Sequence, residues 1–167
     1  MKIFRLLLRV VVGALFVGHG THKLFGWFGG RGIKETAAVF EQMGLRPGLP
    51  NAIAAGLAEA GGGVLVAAGY MTPLGTASTI GSMLTAMHRV HLKNGPWVTN
   101  GGYEYNLVLI LSLLTLTEEG PGPLSVDAII GQERKGTGWA LASLAAAGLG
   151  AGAVHAIASA QAPTDQS

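Results

Sequence analysis

Cysteine is missing from all 167 positions. Its absence removes disulfides, thiolate metal ligands, Cys-bound iron–sulfur clusters and any persulfide relay carried on the chain itself. Redox chemistry on this chain must therefore run through a bound cofactor, a quinone or a partner protein. Charge is also scarce: Asp, Glu, Lys and Arg make up 12% of the sequence, against about 25% in soluble domains. The net charge is only +2, and no long basic run is present to neutralise phosphates, so nucleic-acid binding is set aside. Aromatic residues reach just 7%. What fills the sequence instead is small and apolar: 27 glycines, 49% hydrophobic residues and a mean hydropathy of +0.44. Small residues let helices approach closely in lipid, where no hydrophobic drive brings them together. The composition and length predict one all-α unit, a polytopic membrane helix bundle.

A spanning helix needs about 20 mainly apolar residues, and the sequence offers several runs of that kind. The N-terminus resembles a signal sequence, with Lys2, Arg5 and Arg9 ahead of an apolar run, but no convincing cleavage site follows. It reads as an uncleaved first span over residues 4–24, with Arg5 and Arg9 snorkelling to the near headgroups. Residues 33–44 are too charged to cross, and Ile33, Ala37, Phe40 and Met43 recur at helical spacing, which predicts an interfacial helix. Asn51 is the expected cap of span two, residues 52–71, and the Thr72-Pro73 turn leads into span three, residues 74–91. A polar loop over 92–102 precedes a short span four, residues 103–116. A connector over 124–136 then leads to a fifth Ala- and Gly-rich run, 137–160, with Gly148 and Gly152 at GxxxG spacing. The expected organisation is a four-helix core over 1–131, the connector and a peripheral fifth helix over 132–160, and a disordered tail over 161–167. Basic residues nearly balance between the two sides, so the positive-inside rule is weak here. The leading helix favours a cytoplasmic N-terminus in a multi-pass plasma-membrane protein.

Parity of the spans locates the chemistry. The ends of spans one and three and the start of span four share one membrane face, which gathers His19, His22, Lys23, His88, His91 and Glu104. His19 and His22 lie about one helical turn apart, as do His88 and His91, so each pair can present two imidazoles on one face. Such pairs serve as interfacial anchors, handle protons or substrate, or bind a metal. The anchor reading is the plainest, and no metal site is expected. Glu59 is the sharper signal, a single carboxylate inside span two followed by Gly61-Gly62-Gly63. Acids at that depth normally face the bundle interior, where they serve function or bond neutrally between helices. Glu104 is either a favourable first-turn acid or a partner for Lys23 or a histidine. Trp27, Trp97, Tyr103 and Tyr105 read as an aromatic belt.

At these residues the sequence resembles the DoxX family of membrane proteins. The matching elements run in order: His19-Gly-Thr-His-Lys-Leu-Phe-Gly-Trp-Phe-Gly-Gly30, Ala58-Glu-Ala-Gly-Gly-Gly63, Met83 to His91, Asn94-Gly-Pro-Trp97, Gly101-Gly-Tyr-Glu-Tyr-Asn106 and Gly120-Pro-Gly-Pro-Leu-Ser-Val-Asp127. The resemblance implies a four-helix membrane module linked to redox chemistry. Relatives include the large subunit of thiosulfate:quinone oxidoreductase, and others are associated with sulfur metabolism and oxidative-stress defence.

The expected function is a membrane oxidoreductase component that passes electrons from a sulfur-containing or thiol-linked donor to a membrane quinone. Glu59, Glu104 and His88 are the expected proton-handling residues; His19, His22, Lys23 and His91 are expected to hold the quinone or attract an anionic substrate. No covalent cofactor is expected. The expected partners are the lipid bilayer and a soluble redox or sulfur-transfer protein, with homo-oligomers allowed. The alternative is a non-catalytic scaffold that recruits a soluble redox enzyme. A transporter coupled through Glu59 is a third reading, disfavoured by the lack of an inverted repeat.

Overall fold

The computed structural model describes residues 3–161, and every regular element among them is helical. Five long helices form the bundle: α1 (Ile3–Phe25), α3 (Gly48–Ala68), α4 (Thr72–Ala86), α5 (Glu104–Glu119) and α7 (Thr137–Ala160). Two shorter ones, α2 (Gly32–Gln42) and α6 (Val126–Ile129), lie in the connections. Three helices, α1, α3 and α7, are long and apolar enough by themselves to cross a membrane. Helix α4 is shorter but runs on through a π-helical turn over Met87–His91, and α5 has 16 residues. The expected disordered tail falls, apart from Gln161, outside the described residues, as does Lys2.

Close contacts fix the helix directions. Gly13 and Gly20 of α1 face Gly63 and Ala60 of α3, so these two run antiparallel. A Cβ on Gly13 would lie 2.6 Å from the backbone nitrogen of Ala67 and the carbonyl of Gly63, so the two backbones meet where only glycine fits. Thr76 of α4 and Thr117 of α5 share a buried hydrogen bond of 2.8 Å, and Asn106 lies against Met83, so α4 and α5 are antiparallel. Ser143 of α7 donates to the Pro73 carbonyl at the start of α4, and His155 meets Arg89 near its end, so α7 runs parallel to α4. The core between them is built from Phe16, Val66, Ile80, Leu109, Leu113 and neighbouring aliphatics. Large apolar side chains such as Val11, Leu57, Val64, Val108, Leu111 and Leu149 point outward. An outward apolar surface over buried threonines and glycines is the arrangement of a protein that contacts lipid. The chain is an integral membrane protein that presents its apolar helix faces to the bilayer.

The two ends of the bundle differ. At the end holding the start of α1, the connector after α5 folds back as a hydrogen-bonded plug. Arg9, 3% exposed, donates to the carbonyls of Pro121 and Leu124. It therefore turns inward rather than snorkelling, because the Gly-Pro-Gly-Pro connector presents carbonyls that lack helical partners. Asp127 of α6 is fully buried and accepts from the backbone N–H groups of Met71 and Thr72, capping α4 from a distant part of the chain. At the other end, α2 packs on α1 and α3. Helix α3 starts at Gly48, before the expected cap at Asn51, because the Glu41 side chain of α2 accepts from the Gly48 N–H. Asn51 sits in the first turn and donates back to the Pro47 carbonyl. Among the described residues, a Cβ added at Gly148 or Gly152 would meet nothing within 4 Å.

Candidate functional site

Glu59 lies eleven residues into α3, about 16 Å along the helix axis, level with Gly20 near the end of α1, which meets Ala60. It faces the bundle interior and is 2% exposed. Two neighbours hold the carboxylate. The Lys23 ammonium, at the end of α1, pairs with Oε2, and the Ser82 hydroxyl of α4 donates to Oε1 over 2.7 Å. Three helices thus converge on one carboxyl group. A carboxylate buried in this way persists only where pairing and hydrogen bonds offset its desolvation, and both are present. Of its immediate neighbours, Gly62 and Gly63 serve helix packing while Gly61 faces open space.

A cavity of about 1060 Å³ opens beside this group. Ligand pockets run to roughly 300–1,000 Å³, so the space is large enough for a small-molecule ring and a chain attached to it. Its polar rim includes His19, His22, Lys23, Arg89 and His91, while Glu59, Ser82 and Asn106 lie further in. The remaining wall is apolar, formed mainly by alanines of α3, α4 and α7. Among the described residues, no three His, Asp or Glu side chains group as a metal-ion set. The His19 and His22 rings stand 6.3 Å apart, edge to face, and His91 Nδ1 donates to the Gly101 carbonyl at 2.7 Å.

The residues singled out in the sequence divide into two groups. His19, His22, Lys23, Glu59 and His91 surround the cavity. His88 and Glu104 do not. Residues 87–91 form a π-helical turn, whose i→i+5 bonding rotates side chains away from α-helical spacing. His88 consequently faces α7, with its ring 4.3 Å from that of His155, while His91 turns to the cavity rim. Glu104 accepts from the Val98 N–H at 2.7 Å and ties down the loop before α5. The shared pocket of His19, Lys23, His88 and Glu104 that parity suggests is therefore half formed. The carboxylate that meets Lys23 is Glu59, because Glu104 is committed to its own loop.

Three participants are given no site role by the motifs. Ser82 is an ordinary serine in an apolar run, and only the position of α4 against α3 brings it to Glu59. Arg89 donates through Nε to His155 Nδ1 at 3.0 Å, which leaves the His155 ring proton on Nε2. His155 itself was within reach of the sequence: extending the parity argument to the fifth run puts it at the same end as the other four histidines. Helix α7 also lines the cavity through Ala147, Gly150, Ala151 and Val154, although its composition suggests a peripheral role.

The fold and site define a class, an all-helical membrane bundle with a charged cavity at one end and a hydrogen-bonded plug at the other. The sequence model of the DoxX family matches residues 4–92, just over half of the chain, and the protein belongs to the DoxX family. No curated protein and no solved structure matches the chain. The matched stretch holds Lys23, Glu59, Ser82 and four of the five histidines, and stops short of α5 and α7.

Proposed function

We propose that this protein is the membrane component of a redox system that passes electrons from a thiol-linked or other sulfur-containing donor to a membrane quinone. The observation that carries this reading is Glu59, a carboxylate buried inside the bundle, held by Lys23 and Ser82 and facing a large, mostly apolar cavity. A quinone fits that setting, since its flat ring suits apolar walls and its two oxygens require donors at a defined place. Reduction of a quinone to the quinol takes up two electrons and two protons, and oxidation of two donor thiols to a disulfide releases both. The residues here hold and orient. Lys23 and the rim histidines are N–H donors for the ring oxygens, and Glu59, with Ser82 fixing one of its oxygens, is the group through which a proton enters the dry part of the site.

Because the chain has no cysteine, the thiols belong to a soluble partner. With the N-terminus in the cytoplasm of a plasma-membrane protein, the histidine-rich end meets that partner on the far side.

The test is to purify the protein, extract its lipids and identify bound quinone. A quinone retained by the wild type and depleted in Glu59→Gln supports the reading. A protein free of quinone that captures a soluble redox enzyme instead supports the scaffold reading and removes this one.

A further inference from the structure

The cavity does not stop at its polar groups. Helices α3 and α7 both pack on α4, and between them lies a cleft with α4 as its floor. Ala54 and Ala58 form one wall, Gly150 and Ala151 the other, and Ala77 and Gly81 lie along the floor. These side chains are as small as side chains can be, and none carries charge. The cleft also opens sideways: Ala54 and Gly150 are exposed, and Leu74 at its far end is 50% exposed. On a helix that faces lipid, a sideways opening leads into acyl chains rather than water.

Gly150 marks how the width is kept. A Cβ placed there meets nothing within 4 Å, so packing does not require glycine at this position. By contrast, a Cβ on Gly81 would touch the Ala147 carbonyl oxygen at 3.5 Å, which is where α7 seats against α4. The contact between the two helices therefore lies on one side of α7, and the adjoining face is left bare toward α3.

We propose that α7 is the second wall of a lateral channel that takes the hydrocarbon tail of a membrane-resident redox carrier, whose ring lies at Lys23, Glu59 and Ser82. This rests on the quinone reading above and adds the tail site, the route of entry and a role for a helix outside the residues matched by the family model. The occupant is a long, branched or straight apolar chain. The cleft joins the polar group at one end and reaches the lipid-facing surface at the other, so a ligand with an apolar tail occupies both without stranding its tail in the bundle. A headgroup-bearing phospholipid is the rival occupant.

The experiment uses the full-length protein in nanodiscs and two benzoquinones with the same ring, one tailless and one with a long isoprenoid tail. Dissociation constants are measured for the wild type, for Gly150→Phe and for Ala54→Phe on the opposite wall. The expected result is a tenfold or larger advantage for the tailed quinone in the wild type, lost in both variants, with tailless binding unchanged. Unchanged tailless binding also reports that the variants fold. Persistence of the tail advantage in both variants would overturn the channel while leaving the ring site standing. In a parallel measurement in detergent micelles, displacement of the tailed quinone by an equal concentration of phospholipid would also overturn it, by giving the cleft to an ordinary lipid. Failure of the wild type to bind either quinone would remove the ring site and the channel with it.

Discussion

Lys23 of α1 pairs with Glu59 of α3, and the carboxylate side chain is 3% exposed while the lysine side chain keeps 25% of its surface. The pair thus has a dry end and a wetter end, and it joins two helices whose glycines already bring them into backbone contact. Removing one member of a buried pair leaves the other uncompensated, typically at a loss of about 3 kcal/mol or more. Lys23→Met is expected to lower thermal stability in detergent by about that amount, and Lys23→Met/Glu59→Gln to recover most of it because both charges leave together. A double variant as unstable as the single would mean that the pair is not coupled.

Glycine positions on α1 and α3 make a second, independent prediction. Gly13→Ala forces a Cβ into the Ala67 nitrogen and Gly63 carbonyl, and overpacking of this kind costs about 1–3 kcal/mol. Gly61→Ala places its Cβ in open space and is expected to be neutral. Unfolding midpoints measured side by side in one detergent decide the point, and equal midpoints for the two variants would contradict the close approach.

The two glutamates are expected to separate cleanly in turnover. Glu59→Gln removes the proton-carrying group from the cavity, with an expected loss of about 10²-fold in quinone reduction, the lower end for general acid–base catalysis. Glu104→Gln keeps an acceptor for the Val98 N–H and is expected to leave turnover within a factor of two of the wild type. Steady-state quinone reduction with each purified variant gives the comparison.

Helix direction places the two termini apart. Helix α1 starts beside the plug at Pro121 and Leu124, while α7 ends beside Arg89 at the opposite end of the bundle. Tags at the two ends are expected to react with a membrane-impermeant probe from opposite sides. Reaction of both tags from one side would mean that one long helix does not cross.

Much of this architecture is legible in the sequence because apolar runs separated by Gly and Pro leave few options for a chain in lipid. The helix expected over 33–44 is present as α2, Gly32–Gln42, and the expected runs over 4–24 and 137–160 are α1 and α7 within a residue or so. Counting spans also brings His19, His22 and His91 to one end without coordinates. What stays hidden are the contacts made by folding. The start of α3 depends on a Glu41 carboxylate contributed by another helix, and the inward turn of Arg9 depends on carbonyls more than a hundred residues away. His88 escapes the pocket because of a π-helical turn that no spacing rule reveals, and that turn sends it to His155. Glu59 was readable as an interior acid, yet its partner was not, since Lys23 and Glu104 share an end of the bundle in sequence and only packing shows that Glu104 is already occupied.

The most direct measurement is to photolabel the purified protein with a ring-azido benzoquinone, then map the modified peptides by mass spectrometry with and without excess unmodified quinone. A quinone ring held by Lys23, Glu59 and Ser82 is expected to label residues near the end of α1, the middle of α3 and the Ser82 turn of α4, and that labelling is expected to disappear under competition. Labelling confined to the outward apolar faces, at positions such as Val108 or Leu149, and unaffected by competing quinone would contradict the account.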